Sequence, residues 1–264
     1  MRTYEEYHRI LTLWEAGENK LGIERITGIP RATVRDCINR YGSIAGLEAN
    51  RDRASRSKPD EVLKRIKNTQ DIAIQKAYAY LLGIYLGDGY IVRNERVYFL
   101  RIFLGSVYPD IIQFCAKAIN VILPENKVNV LKQKHANCVE VICSHKFWPE
   151  ILPQSGTGRK HNRVIILEEW QQQIVDTYPL EFFRGLYHSD GSRFSNVVKG
   201  KDYPRYQFTN HSDDIRKLFC DTCDKLGIHW TVKYRKSLGE SATDIFISKH
   251  KDVEYLDQVV GPKS

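Results

Sequence analysis

Tyr80-Leu81-Leu82-Gly83-Ile84-Tyr85-Leu86-Gly87-Asp88-Gly89 and Phe182-Phe183-Arg184-Gly185-Leu186-Tyr187-His188-Ser189-Asp190-Gly191 are the two stretches on which the reading of this chain turns. Each is a largely apolar run closed by Asp-Gly. Gly83 and Gly87 stand four residues apart in the first, and Gly185 and Ser189 hold the same places in the second. Residues at i and i+4 share one face of an α-helix, so each run predicts a helix with a strip free of side-chain bulk. Two such strips let helices approach closely. If the strips face each other, Asp88 and Asp190 converge at one end of the interface. A carboxylate there meets the negative end of the helix dipole. That conflict, repeated at equivalent positions, is the kind of local inconsistency that marks a functional site. The plainer reading is that Asp-Gly only terminates a helix, since Gly is a common C-cap residue. It suffices for one motif and strains for two.

The motifs belong to a longer repeat. The offset from Asp88 to Asp190 (190 − 88) is 102, Phe114-Cys115 returns as Phe219-Cys220, His145-Lys146 as His250-Lys251, and Gly158-Arg159-Lys160 is echoed by Gly261-Pro262-Lys263. Four echoes in order at nearly constant offset argue for duplication of a unit of ~100 residues. Each unit reads as a helix ending in Asp-Gly, strand-like runs (90–104 and 192–209), a helix (110–122 and 213–226) and further strands (139–143 and 244–248) before a last helix and its Lys-bearing tail. That order is α+β.

Outside the repeat the chain changes character. Residues 1–49 are helical by pattern, with Tyr7, Ile10, Leu11 and Trp14 on one face. Gly28 supplies the positive φ of a tight turn and Pro30 suits the first turn of the next helix. Ile23, Ile26, Ile29, Val34 and Ile38 would hold the helices together. The spacing resembles a helix-turn-helix with Arg31, Thr33, Arg35 and Arg40 on or beside its recognition helix; an ordinary helical hairpin with a basic face is the plainer alternative. Residues 50–75 form a basic tether with Arg51, Arg53, Arg56, Lys58, Lys64, Arg65 and Lys67. The expected domains are therefore 1–49, the linker 50–75, a first repeat 76–178 and a second 179–264.

With a net charge of +8 over 264 residues and 42% hydrophobic residues, the chain has a sizeable core and a basic surface of the kind that faces a polyanion. The six cysteines do not suggest a disulfide scaffold or a zinc site: Cys220 and Cys223 fall within a helical pattern, and Cys138 and Cys143 lack the spacing of a second ligand pair. The apolar run before Asp88 is too short for a bilayer, which takes about 20 residues. Taken together this points to a cytoplasmic, nucleoid-associated protein without membrane contact.

The paired motifs look like those of a single-chain LAGLIDADG homing endonuclease, and the resemblance spans roughly residues 76–264. It implies a duplicated αββαββα saddle with pseudo-twofold symmetry, motif helices at the interface, sheets in the DNA major groove, and acidic residues that bind Mg2+ or Mn2+. His188 stands where an acidic residue is common in the family. The implied activity is metal-dependent double-strand cleavage with Asp88 and Asp190 as catalytic and metal-binding residues, and Gly87 and Ser189 beside them at the metal. Gly83, Gly87, Gly185 and Ser189 form the helix interface. Lys160 and Lys263, in matching places after their Asp, are candidates to polarise water or neutralise phosphate charge; solvated lysines beside Gly turns are the alternative.

For DNA contact the candidates are Arg31, Thr33 and Arg35 in the head, Arg93, Arg96 and Arg101 in the first repeat, and Arg193, Lys201, Arg205 and Gln207 in the second. Along Arg205-Tyr206-Gln207-Phe208-Thr209 polar and aromatic residues alternate, as in a strand with one wet face. Double-stranded DNA is the expected partner and a monomer the expected state. A non-cleaving transcriptional regulator on the same scaffold and, less favoured, an intron RNA maturase are the alternatives. No splice-junction residues stand at Met1 or Ser264, which argues against an intein.

Overall fold

The computed structural model describes residues 3–49, 59–68, 71–95, 97–134, 136–234, 243–261 and 263. The chain divides into two compact units, Met1–Glu61 and Val62–Ser264. The division falls inside the stretch 50–75, and its second half belongs to the larger unit: Val62, Ile66 and Ile74 are buried in that unit's core.

In the smaller unit, α1 (Tyr4–Glu15) begins at a capping box between Thr3 and Glu6. Asn19 caps α2 (Lys20–Thr27) through the backbone N–H groups of Leu21 and Gly22. Gly28, at φ 70°, ends that helix and lets Pro30 open α3 (Arg31–Tyr41). Residues 44–49 form α4. Ile10, Leu11, Ile23, Ile29, Val34, Cys37 and Leu47 make the core. Ile26 is not part of it: it lies on the outer side of α2, 47% exposed.

The larger unit begins with α5 (Pro59–Asn68) and α6 (Ile72–Asp88). α6 is buried on all sides from Tyr78 to Leu86, as a helix packed between two layers must be. It runs straight into β1 (Gly89–Asn94), followed by β2 (Val97–Gly105), α7 (Pro109–Ile122), β3 (Val128–Lys132), β4 (Cys138–His145) and the short α8 (Trp148–Ile151). After α9 (Glu169–Thr177) the order recurs: α10 (Pro179–Asp190), β5 (Gly191–Phe194), β8 (Arg205–Asn210), α11 (Asp213–Lys225), β9 (Thr231–Tyr234), β10 (Thr243–Ile247) and α12 (His250–Val259). A small hairpin, β6 (Val197–Val198) and β7 (Lys201–Asp202), extends the tip of the second sheet.

The two sheets have the same antiparallel topology, β1-β2-β4-β3 and β5-β8-β10-β9. Gly89 pairs with Ile102 and Gly191 with Phe208, so the registers correspond residue for residue at the start of each repeat. Alternation along the strands sends Leu100, Ile102 and Leu104, and likewise Tyr206 and Phe208, into the core beneath the helices. The opposite faces carry Arg101 and Glu140 beside Tyr90 and Phe103 in the first sheet, and Gln207, Thr209 and Asp244 in the second.

What holds the repeats together is the α6–α10 contact. A Cβ added at Gly83 would lie 2.5 Å from the Phe182 carbonyl oxygen and 2.8 Å from the Leu186 nitrogen. One added at Gly185 would run into the Tyr80 carbonyl and lie 2.8 Å from the Ile84 nitrogen. These are backbone atoms and cannot swing aside. Gly83→Ala or Gly185→Ala is therefore expected to reverse the usual helix preference, in which Ala is better than Gly by about 1 kcal/mol, and to destabilise by at least about 3 kcal/mol. Urea denaturation of each variant measures this; a variant as stable as the parent would show that the helices do not meet backbone to backbone.

Candidate functional site

Because α6 and α10 meet through their glycines, their C-terminal ends lie side by side. A Cβ at Gly87 would collide with the Ser189 side chain and lie 2.6 Å from Asp190 Oδ2. Asp88 and Asp190 are the last residues of their helices, and Gly89 and Gly191 turn at once into strands with extended backbone. Both carboxyls are largely withdrawn from water. Burial, and then the neighbouring Asp190, push the Asp88 pKa from 3.8 up to about 7. Burial raises Asp190 as well, opposed by a hydrogen bond that Asn210 Nδ2 donates to its Oδ2 at 2.7 Å.

The two lysines close the same site. Lys160, in a 3₁₀ turn (Lys160–Asn162), donates to the carbonyls of Tyr85, of Leu86 at 2.9 Å and of Gly87 at 3.2 Å. Lys263 donates to the Ser189 carbonyl at 2.8 Å. Gly87 and Ser189 are equivalent positions, so each ammonium caps the open carbonyls of its own motif helix. Each also lies near an aromatic ring at the equivalent helix position, Lys160 4.8 Å from the centre of Tyr85 and Lys263 5.8 Å from that of Tyr187. The cations thus offset the conflict between the carboxylates and the helix dipoles. Burial lowers both lysines, Lys160 to about 7, against the pull of the two aspartates.

Asn210, His211 and His161 also belong here, and none of them stood out in the sequence. The His161 and His211 rings are 5.6 Å apart, and His211 favours the charged form of Asp190. Asn210 becomes visible only through the β5–β8 pairing, which carries the end of β8 to the Asp190 helix end. His188 faces elsewhere: it is buried, hydrogen-bonded to the Tyr80 hydroxyl at 3.0 Å, and burial drives its pKa down to about 3.

The basic residues expected at DNA separate into groups. Arg101 lies on the helix-free face of the first sheet, and Arg205 and Gln207 on that of the second. Arg93 and Arg193 point the other way. Arg93 shares the side of Ile91 and Leu100, at the strand end. Arg193 is held in a two-bond pair with Asp257 of α12, at 2.6 and 2.7 Å, which Tyr206 joins through its hydroxyl at 2.7 Å. Lys201 stands on the β6–β7 hairpin, and Arg96 lies outside the described residues. In the smaller unit Arg31 and Arg35 are exposed on α3 and Thr33 is partly buried.

The larger unit has the duplicated αββαββα architecture that the resemblance to the LAGLIDADG family implies. That rests on its own element order and on the two motif helices packed at its centre. No protein-family model and no curated protein matches the sequence. Among solved structures, the homing endonuclease I-DmoI is 16% identical over 71% of this chain and 97% of its own, with a TM-score of 0.49. The N-terminal LAGLIDADG domain of DUF199/WhiA is 14% identical over 78% and 93%, with a TM-score of 0.45. Full-length DUF199/WhiA from Thermatoga maritima is 13% identical over 77% and 61%, at 0.48. At these values the likenesses decide nothing about activity.

Asp88, with a folded value near 7 against 3.8, contributes stability that is present below pH 4 and is lost as pH rises through 7. Asp88→Asn cannot lose it. The metal-free variant is therefore expected to exceed the parent by on the order of 1–2 kcal/mol at pH 8, with the gap closing toward pH 5. Thermal melts in chelator across that range test this; a destabilised variant at pH 8 would refute the repulsive pair.

Proposed function

We propose that the chain is a site-specific double-strand DNA endonuclease of the homing type that depends on a divalent cation. The observation that carries the proposal is the convergence of Asp88 and Asp190 at one end of the helix pair, each beside a lysine-capped helix terminus. Two adjacent carboxylates, with the Asp88 pKa lifted to about 7 by burial and then by Asp190, fit a hard cation, which would stabilise both in their charged form. Among the described residues no group of three or more His, Cys, Asp or Glu side chains gathers, and the side chains that would hold the cation are these two carboxylates, while the Gly87 and Ser189 carbonyls accept from Lys160 and Lys263. When bound, Mg2+ or Mn2+ supplies an acidified water and charge neutralisation at the phosphodiester.

The chain's own residues do the rest. Asp88 and Asp190 hold and orient the hydrolytic centre between the two repeats, one for each strand. Lys160 and Lys263, anchored on the helix-end carbonyls, present positive charge where the phosphate gains negative charge. The helix-free sheet faces, with Arg101, Arg205 and Gln207, face the duplex, and the basic α3 of the smaller unit adds contacts as a helix-turn-helix. Both repeats lie in one chain, so a monomer suffices and an asymmetric target is accommodated. Among the described residues no helix is long and apolar enough to cross a membrane.

The exposed Arg31 and Arg35 on α3 favour a second reading, a regulator that binds DNA without cutting it. One experiment separates the two. The protein is incubated with a randomised duplex library and Mg2+, and the cut ends are sequenced beside Asp88→Asn and Asp190→Asn. Discrete 3′-overhanging ends, at least ~1,000-fold weaker in either variant, are expected. Sequence enrichment without any cutting would establish the regulator. Lys263→Met is expected to lower the cleavage rate ~100-fold while leaving duplex binding within about threefold; equal losses in both would make Lys263 a binding residue only.

A further inference from the structure

The helices of each repeat cover one face of its sheet, and on the other face two buried carboxylates stand at matching places. Glu140 is 2% exposed and Asp244 3%. Glu140 lies opposite Phe103, and Asp244 opposite Thr209. Because Gly89 faces Ile102 and Gly191 faces Phe208, the residues just before them, Arg101 and Gln207, are equivalent as well. Each sheet therefore carries one long polar side chain and one buried acid at the same two points, and the chemistry differs between them.

In the first sheet Glu140 accepts a hydrogen bond from Arg101 Nε and another, at 2.9 Å, from Gln133 Nε2. The guanidinium carbon lies 5.6 Å from the centres of both the Tyr90 and Phe103 rings, which stack beside each other 5.9 Å apart. Among the described residues no hydrogen bond engages the two terminal nitrogens of Arg101, and its side chain is 33% exposed. Arg193 is the contrast: Asp257 takes its Nε and one terminal nitrogen together. Arg101 is held by the inner edge of its fork with the outer edge presented, the posture that grips guanine O6 and N7.

In the second sheet Thr209 donates to Asp244 Oδ1 at 2.6 Å, and Gln207 Nε2 lies 2.9 Å from the Thr209 hydroxyl. The Thr209 hydroxyl gives its hydrogen to Asp244, and its oxygen accepts from the Gln207 amide. That arrangement orients the amide. It leaves Oε1 and one N–H of Gln207 to pair with adenine N6 and N7.

We propose that Arg101 and Gln207 read bases at symmetry-related positions of one target, guanine in the half bound by the first repeat and adenine in the half bound by the second. Glu140 and Asp244 are the positioning residues behind them. The proposal rests on the DNA-binding reading above, not on cleavage.

The test enriches randomised duplexes on the full-length protein without divalent metal, so that binding is read apart from cutting. The parent should select G and A at equal distances from the centre. Arg101→Gln should turn the G into A, and Gln207→Arg the A into G, each with preference changed on the order of tenfold or more and the rest of the site kept. Glu140→Gln, which keeps the Arg101 charge, should blunt the G preference with overall affinity nearly unchanged. A uniform loss of binding in Arg101→Gln, with the sequence preference intact, would make Arg101 a phosphate contact and overturn the proposal. A parent that enriches no sequence overturns it too, and cutting assayed separately with Mg2+ then shows whether the nuclease reading survives. If Arg101→Gln fails to fold, Gln207→Arg and Glu140→Gln carry the same decision.

Discussion

Everything in the larger unit depends on two helices touching through their backbones. Where Gly83 meets Gly185 there is no room for a methyl group on either side. That closeness cannot be achieved by side-chain packing, which keeps helix axes 8–10 Å apart according to the residues at the contact. Close approach has a direct electrostatic consequence. It brings two helix C-termini, each carrying partial negative charge, to one place, and each ends in an aspartate. The fold thus concentrates negative potential between the two repeats of the larger unit and withdraws it from water.

Such a concentration is stable only with cations nearby, and the chain provides two from distant points in its sequence. Lys160 and Lys263 reach the helix-end carbonyls from the segments that follow α8 and α12. A lysine is well suited to this place because its three donors can serve several carbonyls at once, as Lys160 does. The two lysines only partly offset what burial, and then Asp190, do to Asp88, whose pKa stays at about 7. A site that still demands positive charge with two basic groups beside it is matched by a hard cation.

Much of this was legible in the sequence because the deciding features are local or periodic. Small residues at i and i+4, Asp-Gly at a helix end and the echoes at nearly constant offset survive without any knowledge of tertiary contacts. The lysines were legible for the same reason, as matching residues in matching tails. Residues whose role depends on register were not. Arg193 and Arg205 look alike in a basic strand-rich stretch, yet one pairs with Asp257 beneath the sheet and the other lies on the open face. The intervening β6–β7 hairpin hides the phase of the alternation, so counting by twos from Asp190 does not reach Arg205 correctly. Asn210 and His211 were invisible for the same reason, since the turn of chain that brings them to Asp190 is set by β-pairing. The tether 50–75 was misdivided by composition: Val62 and Ile66 are spaced one helical turn apart among charges, and a single buried pair is too weak a periodic signal to stand out.

Duplication supplied the frame, and divergence has made its halves unequal. The register that equates Ile102 with Phe208 equates Leu104 with Asn210 and Gly105 with His211. Leu104 is buried and apolar, whereas Asn210 donates to Asp190 and His211 stands beside it. The two carboxylates therefore have different surroundings: Asp190 is anchored by an amide and Asp88 is not. The sheets have diverged in the same sense, with a guanidinium on one carboxylate and a hydroxyl-linked amide on the other. A homodimer of a single repeat could not show either difference, because its symmetry would force both halves to be alike. Fusing the repeats into one chain frees each half to change alone, and the changes include the surroundings of the carboxylates and the open sheet faces, while the glycine contact between the helices is kept. What the two repeats keep in common at the helix contact is the part whose geometry has no slack.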